Sequence, residues 1–307
     1  MMPTRPRVVT FLTFLLAAVA AGLVPALAQG PARGQGVGRG AAPAAPPLPD
    51  AATLLKVGQP SGPQGDTWES IKLLPDFTST KWTVVGGGPG GRGGFGNCTL
   101  PPGVINNPYT CMNAPWTAEW QKKFDAIKKI AEAGGDVPAR PKRCVPSGYS
   151  GALAGGGIFE ILLTPGQVTI TTENGLIRRI YTDGRKHPAP ANLDDSFNGH
   201  NVGHWETGTL VVDTIGLDSE NEITYGIQGG KGMHVVTRTR LVDANTIEHI
   251  SILVAPEALK EPRITRTTAV RERRWEMHEQ LCVENQRDLG PNGEQIFDLT
   301  PPSPDKP

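Results

Sequence analysis

Residues 166–184, GQVTITTENGLIRRIYTDG, contain the pattern that decides the fold. Two runs rich in β-branched residues flank Asn174-Gly175, and this dipeptide between such runs is a strong sequence indication of a β-hairpin. Three later segments have the same character: 203–216, which turns at Thr207-Gly208, 233–255, which turns at Asp243-Ala244-Asn245, and 263–284. No helical segment separates these strands. We therefore predict a mainly β protein, an antiparallel meander closed as a lipocalin-like barrel or folded as a sandwich.

One amphipathic helix is predicted N-terminal to the strands, in residues 115–135, PWTAEWQKKFDAIKKIAEAGG. Thr117 suits the N-cap, and Gly134 and Gly135 end the helix. The apolar side chains recur at helical spacing on one face and the lysines lie away from it: Trp120, Phe124, Ile127 and Ala131. This pattern favours a helix packed on the sheet over a helix on a membrane surface.

The alternation along the strands is imperfect. In residues 233–241, one face carries His234, Val236, Arg238 and Arg240, and the other carries Val235, Thr237, Thr239 and Leu241. Neither face is purely apolar, and residues 264–274 are similarly mixed. A barrel with a partly polar interior around a ligand cavity would explain this pattern. The alternative places the arginines on the outer face, paired with Asp and Glu.

The chain begins with Arg5 and Arg7, an apolar run and Ala26-Leu27-Ala28, which is typical of a secretory signal peptide. We predict cleavage after Ala28 and a periplasmic or secreted protein, with an uncleaved membrane anchor as the alternative. The expected organisation is a signal peptide at 1–28, a disordered leader at 29–50, an irregular Gly-rich region at 51–114, the helix and barrel at 115–288, and a flexible tail at 289–307.

The charge balance gives no excess of basic residues of the kind that nucleic-acid-binding proteins have. The chain has 30 basic and 30 acidic residues, and removal of Arg5 and Arg7 with the signal leaves 28 basic against 30 acidic. We expect a small organic ligand or substrate, no stable membrane anchor after cleavage, and an envelope protein as the other possible partner.

The chain has four cysteines, an even count that favours two disulfides in an exported protein. Three pairings are possible. Spacing favours Cys98 with Cys111 as a local loop and Cys144 with Cys282 as a long tie. A zinc site is the alternative, although no two of them have the short ligand spacing of structural zinc sites.

Several segments resemble a family of exported bacterial proteins found in proteobacteria and acidobacteria. They are RRIYTDGRKHP (178–188), FNGHNVGHWETGTLVVDTIG (197–216), MHVVTRTRLVDANTIEH (233–249) and CVENQRD (282–288), with PWTAEWQKKFDA (115–126) and RCVPSG (143–148) also similar. The resemblance implies export, a β-rich fold and the pairing of Cys144 with Cys282. It implies neither a reaction nor a catalytic residue.

The strand that ends the first hairpin could deliver several polar groups to one site. Tyr181, Asp183, Arg185 and His187 alternate, so they share one face if the strand continues through Asp183-Gly184. In this interpretation His187 is the base and Arg185 holds developing negative charge. Asp183 orients the histidine, and Tyr181 or His200 is the acid. The alternative is a plain turn in which Arg185 pairs with a surface acid.

His234, Trp205 and Arg238 are the candidate ligand-binding residues, although a tryptophan in this position is more often part of the core.

His200 and His204 have helical spacing for a metal pair, but four residues along a strand span about 13 Å. A metal site would need further ligands such as His187 or His234. We also find no nucleophile elbow and no dinucleotide fingerprint.

We therefore expect neither a metal nor a cofactor. The sequence favours a small-molecule-binding barrel and, if the protein is an enzyme, a cofactor-independent lyase, dehydratase or isomerase. The alternative is a non-catalytic ligand-binding or envelope-complex protein.

Overall fold

The computed structural model describes residues 47–85, 109, 112, 114–135, 137, 146, 148–149, 153, 158–173, 175–224, 226–274, 276–278, 287–289 and 295–297. Apart from Pro47, these residues belong to one structural unit, Leu48–Pro307. The predicted signal peptide and all four cysteines lie outside the described residues, so the cleavage site and the disulfides stay predictions.

Strands are the main regular secondary structure of the described chain. They are β1 Lys81–Val85, β2 Ile158–Thr164, β3 Gln167–Thr172, β4 Ile177–Tyr181, β5 His200–Glu206, β6 Thr209–Ile215, β7 Glu222–Thr224, β8 Ile227–Gln228, β9 His234–Asp243, β10 Thr246–Val254, β11 Arg263–Glu272, β12 Arg287–Leu289 and β13 Gln295–Phe297. Nine of them form a closed barrel in the order β1-β11-β10-β9-β6-β5-β4-β3-β2. The prediction of a mainly β barrel is confirmed, and the sandwich alternative is excluded.

Two small sheets accompany the barrel. Strands β7 and β8 pair with each other, and so do β12 and β13. Strand β13 lies within residues 289–307, which we expected to be flexible. Leu289, the last residue of β12, lies in the same range, so four of those residues are in strands.

The barrel is a meander with one exception. Neighbouring barrel strands pair antiparallel except β4 and β5, which run parallel and meet at Tyr181 and Val202. Parallel neighbours need a long connection, because the chain must return to the end from which it started. Residues 182–199 provide that connection.

Local turn chemistry explains the antiparallel pairs. Thr207 and Gly208 have φ values of 46° and 82°, and positive φ at both central residues matches the twist of a two-residue hairpin. This turn joins β5 to β6 as predicted. The turn at Asp243-Ala244-Asn245 likewise joins β9 to β10.

The predicted helix is confirmed as α3, Ala118–Glu132, with Thr117 at its N-cap. Trp120 and Phe124 are its buried residues, and they pack in the apolar cluster that also contains Val235 and Leu253 from the barrel. The side chain of Thr117 donates a hydrogen bond to the carbonyl of Glu257 instead of capping the helix. Tertiary contact therefore replaces the local cap.

The segment expected to be irregular contributes more structure than predicted. It forms two short helices, α1 Ala51–Leu55 and α2 Trp68–Ile71, and the barrel strand β1. Phe77 and Trp82 are buried, whereas Trp68 and Leu73 are exposed. Strand β1 closes the barrel because it pairs with both β11 and β2.

Apolar side chains fill the inside of the barrel. Trp82, Phe159 and Trp205 are at most 1% exposed there. Burying one large apolar side chain stabilises the fold by about 2–3 kcal/mol. The cavity among the interior side chains has a volume of about 10 Å³, which is room for about one water molecule. The expected ligand-sized space is not present among these described side chains.

The mixed strand faces are resolved in favour of outer ion pairs. Residues 235, 237 and 239 face the interior, so Arg238 and Arg240 lie on the outer face with His234. Arg238 pairs with Glu206 at 3.0 Å, and Arg240 with Glu248 at 2.8 Å. Among the described residues, no helix combines the length and hydropathy needed to cross a bilayer.

Candidate active site

A group of histidines surrounds one aspartate on the outer face of the barrel. His200 is the first residue of β5, His234 is the first residue of β9, and Asp213 lies on β6 between these strands. Asp213 pairs in register with Val202 on one side and Val236 on the other. Because each histidine is two residues from one of those partners, both histidines are diagonal neighbours of Asp213 on the same face.

The connection 182–199 adds a third histidine. Nδ1 of His187 lies 2.8 Å from Nδ1 of His200, and the centroids of the two rings are 5.0 Å apart. The other nitrogen of His187, Nε2, is 3.5 Å from Oδ2 of Asp213. This distance is long for a hydrogen bond, and within the described part of the chain the buried Nε2 has no other hydrogen-bond partner. His187 therefore lies between His200 and the carboxylate of Asp213.

Asp213 also contacts His234 closely, with 2.5 Å between Oδ1 and Nε2. Burial acts to raise the pKa of Asp213, but the hydrogen bond and charge of His234 and the charge of His187 outweigh it, so the pKa is lowered. Asp213 is therefore a carboxylate at neutral pH, and it holds one histidine on each oxygen.

Burial, as the largest effect, lowers the pKa of His187, and the charge of Asp213 opposes this only in part. Burial also lowers the pKa of His200, and nearby His187 and Arg185 lower it further. Both rings are consequently neutral at neutral pH, and each carries one N–H and one lone pair.

The contacts select one arrangement of those protons. A carboxylate favours an N–H on the nitrogen that faces it, so His187 carries its proton on Nε2 and accepts at Nδ1. His200 must then donate from Nδ1, which leaves the lone pair of its Nε2 free. The group thus has the order of a proton relay, from His200 through His187 to Asp213.

Tyr181 and Arg185 adjoin this relay. The ring centroids of Tyr181 and His200 are 5.6 Å apart, and Cζ of Arg185 lies 3.9 Å from the centroid of the Tyr181 ring. Asp183 hydrogen-bonds Arg185, with Nε 2.9 Å from both carboxylate oxygens. The prediction that Asp183 orients a histidine is wrong, because its carboxylate is committed to Arg185 and Asp213 lies against His187.

The strand alternation that would place Tyr181, Asp183, Arg185 and His187 on one face ends before it reaches His187. Strand β4 ends at Tyr181, and Gly184 adopts a φ of 81°, so the chain turns there. His187 reaches the site through the connection, whereas Tyr181 reaches it from the strand.

The three predicted ligand-binding residues are not brought together. His234 joins the histidine group, but Trp205 lies in the core on the opposite face of β5. Arg238 contacts Glu206 and donates to the carbonyl oxygen of Lys56 at 2.7 Å. Its contacts tie the N-terminal segment to the barrel.

Asp213 is the site residue that the sequence analysis missed. It lies in TLVVDTI, where an acid follows three apolar or β-branched residues within a strand. A charged residue in such a run is costly unless it has a partner, and that cost is the signal that could have identified it.

The donor set of three histidines and a carboxylate is of the kind that transition metals prefer. In the described part of the chain, however, no group of three His, Cys, Asp or Glu is arranged around a common point. The Nδ1 atoms of His187 and His200 face each other at 2.8 Å, which is the geometry of a hydrogen bond between the two rings. His204 lies 3.0 Å from Glu206 and is not part of the group.

Comparisons of the chain with protein-family models, with curated proteins and with solved structures gave no match.

Proposed function

We propose that this chain is an exported barrel protein that catalyses proton transfer on a small organic substrate, as a cofactor-independent lyase or isomerase. The observation that carries the proposal is the run of contacts from His200 through His187 to Asp213, at 2.8 and 3.5 Å. It joins the bare Nε2 of His200 to a partly buried negative charge, that of Asp213.

His200 is the base in this proposal. Its Nε2 lone pair takes a proton from carbon or oxygen of the substrate, and the ring becomes an imidazolium. The new charge is stabilised because Nδ1–H donates to His187, whose Nε2–H faces the Asp213 carboxylate. A positioned base of this type contributes about 10²–10⁴-fold to a rate. Neutral histidine is the form that this step needs, and burial favours it.

Tyr181 and Arg185 supply the groups that act on developing negative charge: a proton donor and a cation. The Tyr181 hydroxyl is the acid, since its ring lies beside His200. The Arg185 side chain is 47% exposed, so it can meet a carboxylate or an enolate oxygen of a bound molecule. The substrate class that fits is a small organic acid with an acidic C–H or a β-leaving group.

The test uses deuterium exchange, which detects proton abstraction without knowledge of the full reaction. The mature protein is incubated in D₂O with a panel of hydroxy, keto and unsaturated carboxylic acids, and loss of C–H signals is followed by proton NMR. Elimination would appear in the same spectra as new vinyl signals. We expect exchange or elimination with at least one acid, and its loss in His200→Gln and Asp213→Asn.

His278→Gln is the matched control, because His278 is exposed and outside the histidine group. It should retain full exchange. Saturable binding of an acid without exchange would contradict catalysis and favour a ligand-binding protein. Activity that is lost on chelation and restored by a metal ion would contradict the cofactor-independent mechanism.

A further inference from the structure

The interior of the barrel holds a charged residue that takes no part in the proposed active site. Arg178 lies on the inner face of β4 and is 2% exposed. Its Nε donates to Oδ1 of Asn201 at 2.9 Å, and Nη2 donates to Oγ1 of Thr214 at 3.0 Å. Both acceptors are neutral oxygens.

This arginine remains charged. Burial lowers the pKa of Arg178 to about 10, which is still well above neutral pH. Within the described part of the chain, its side chain bonds only to the two neutral oxygens. A buried charge without a counter-charge is expensive, and buried charges in proteins are normally paired.

The inner cavity lies against Arg178. Thr237, Thr239 and His249 also line it, among mainly apolar side chains. Nδ1 of His249 is 2.8 Å from Oγ1 of Thr239. When Thr239 donates that bond, the neutral ring carries its proton on Nε2. The cavity is therefore lined by a fixed cation and by a buried imidazole that can offer Nε2–H, with mainly apolar walls elsewhere.

The size of the cavity limits what could supply the missing charge. A volume of about 10 Å³ suits a water molecule or a single small ion, and it excludes an organic acid. We propose that the cavity binds a small monovalent inorganic anion of halide size, held by the guanidinium of Arg178 and an N–H of His249. The site is on the opposite side of the barrel wall from the histidine group and does not depend on the proposed catalysis.

Crystals of the mature protein grown in sodium bromide test the site directly, because bromide is identified by its anomalous scattering. We expect an anomalous peak inside the barrel, within hydrogen-bond distance of Arg178. Crystals at high bromide concentration without a peak in the cavity would overturn the proposal, whatever ions bind on the surface.

Unfolding in solution gives a second test. Chloride is titrated against gluconate, an anion too large for the cavity, at constant ionic strength. Once chloride exceeds its dissociation constant, the unfolding midpoint should rise by a similar step for each tenfold increase in chloride, as expected for a ligand of the folded state. Arg178→Met should abolish this dependence.

Arg179→Met is the matched control, since Arg179 is the exposed neighbour on the outer face of the same strand. It should keep the chloride dependence. A dependence that persists in Arg178→Met would contradict the proposal. If that variant does not fold, the bromide experiment on the unaltered chain decides.

Discussion

Replacement of His249 by glutamine should reduce the loss of unfolding free energy that occurs as the pH falls below about 6.5. Burial, with a further contribution from the charge of Arg178, lowers the pKa of His249 from 6.5 to about 3. Unfolding releases the ring, which then binds a proton at any pH below about 6.5. The unfolded state therefore binds more protons than the folded state between pH 6.5 and 3. The stability that depends on the neutral ring is fully present above pH 6.5 and is lost as the pH falls.

The magnitude follows from that difference in proton binding. One proton changes the unfolding free energy by about 1.4 kcal/mol per pH unit. Over the whole window the loss is on the order of 5 kcal/mol, a large part of the stability of an ordinary domain. Glutamine can keep a hydrogen bond to Thr239 and does not titrate, so the variant should lose this part of the slope.

Urea unfolding at a series of pH values between 6 and 4 measures both slopes. The other titrating groups are common to both proteins and cancel in the difference. We expect the slope of the unaltered protein to exceed that of His249→Gln by about 1.4 kcal/mol per pH unit. Equal slopes would refute the reasoning, because they would mean that His249 titrates normally in the folded protein.

Three further substitutions test other parts of the structure. Asp213→Asn removes a charge-assisted bond to a partly exposed histidine, so we expect a loss of about 1–2 kcal/mol in urea unfolding and a fall of about 100-fold in any proton exchange that the protein catalyses. An unchanged rate would separate Asp213 from the chemistry. Glu248→Gln leaves Arg240 and Arg266 without their carboxylate, and should cost about 2 kcal/mol in the same assay, whereas no loss would mean that the ion pairs contribute nothing. Trp205→Ala should cost about 3–5 kcal/mol because the side chain is 1% exposed in the core, and a loss below 1 kcal/mol would contradict its packing role.

The parts of the fold that depend on local chemistry could be predicted from the sequence. The turn at Thr207-Gly208 needs only two residues that accept positive φ, and α3 needs only apolar side chains at helical spacing. Strand β1 was not predicted, because its five residues become a strand only by pairing with β11 and β2. The parallel pairing of β4 and β5 was missed for the same reason.

The faces of the strands could not be assigned, since both faces of β9 carry polar groups for different reasons. The outer face uses ion pairs such as Arg238 with Glu206, and the inner face buries Thr237 and Thr239. His187 and His200 were identified from residue type. Asp213 entered the site only through the register of β5, β6 and β9, which no local pattern specifies.

Inner-face residues illustrate the same limit. Arg178 and His249 look like ordinary strand residues in the sequence, and only closure of the barrel brings them to one cavity. Their distance along the chain hides that contact.

The proton arrangement in the histidine group is the central claim, and long-range proton–nitrogen NMR of the protein with labelled histidine measures it directly. Each ring nitrogen is assigned as protonated or bare near neutral pH, with His187→Gln and His200→Gln used to identify the signals. We predict that His200 carries its proton on Nδ1 with a bare Nε2, and that His187 carries its proton on Nε2. A protonated Nε2 on neutral His200 would contradict the account, because the proposed base would then have no lone pair to offer the substrate.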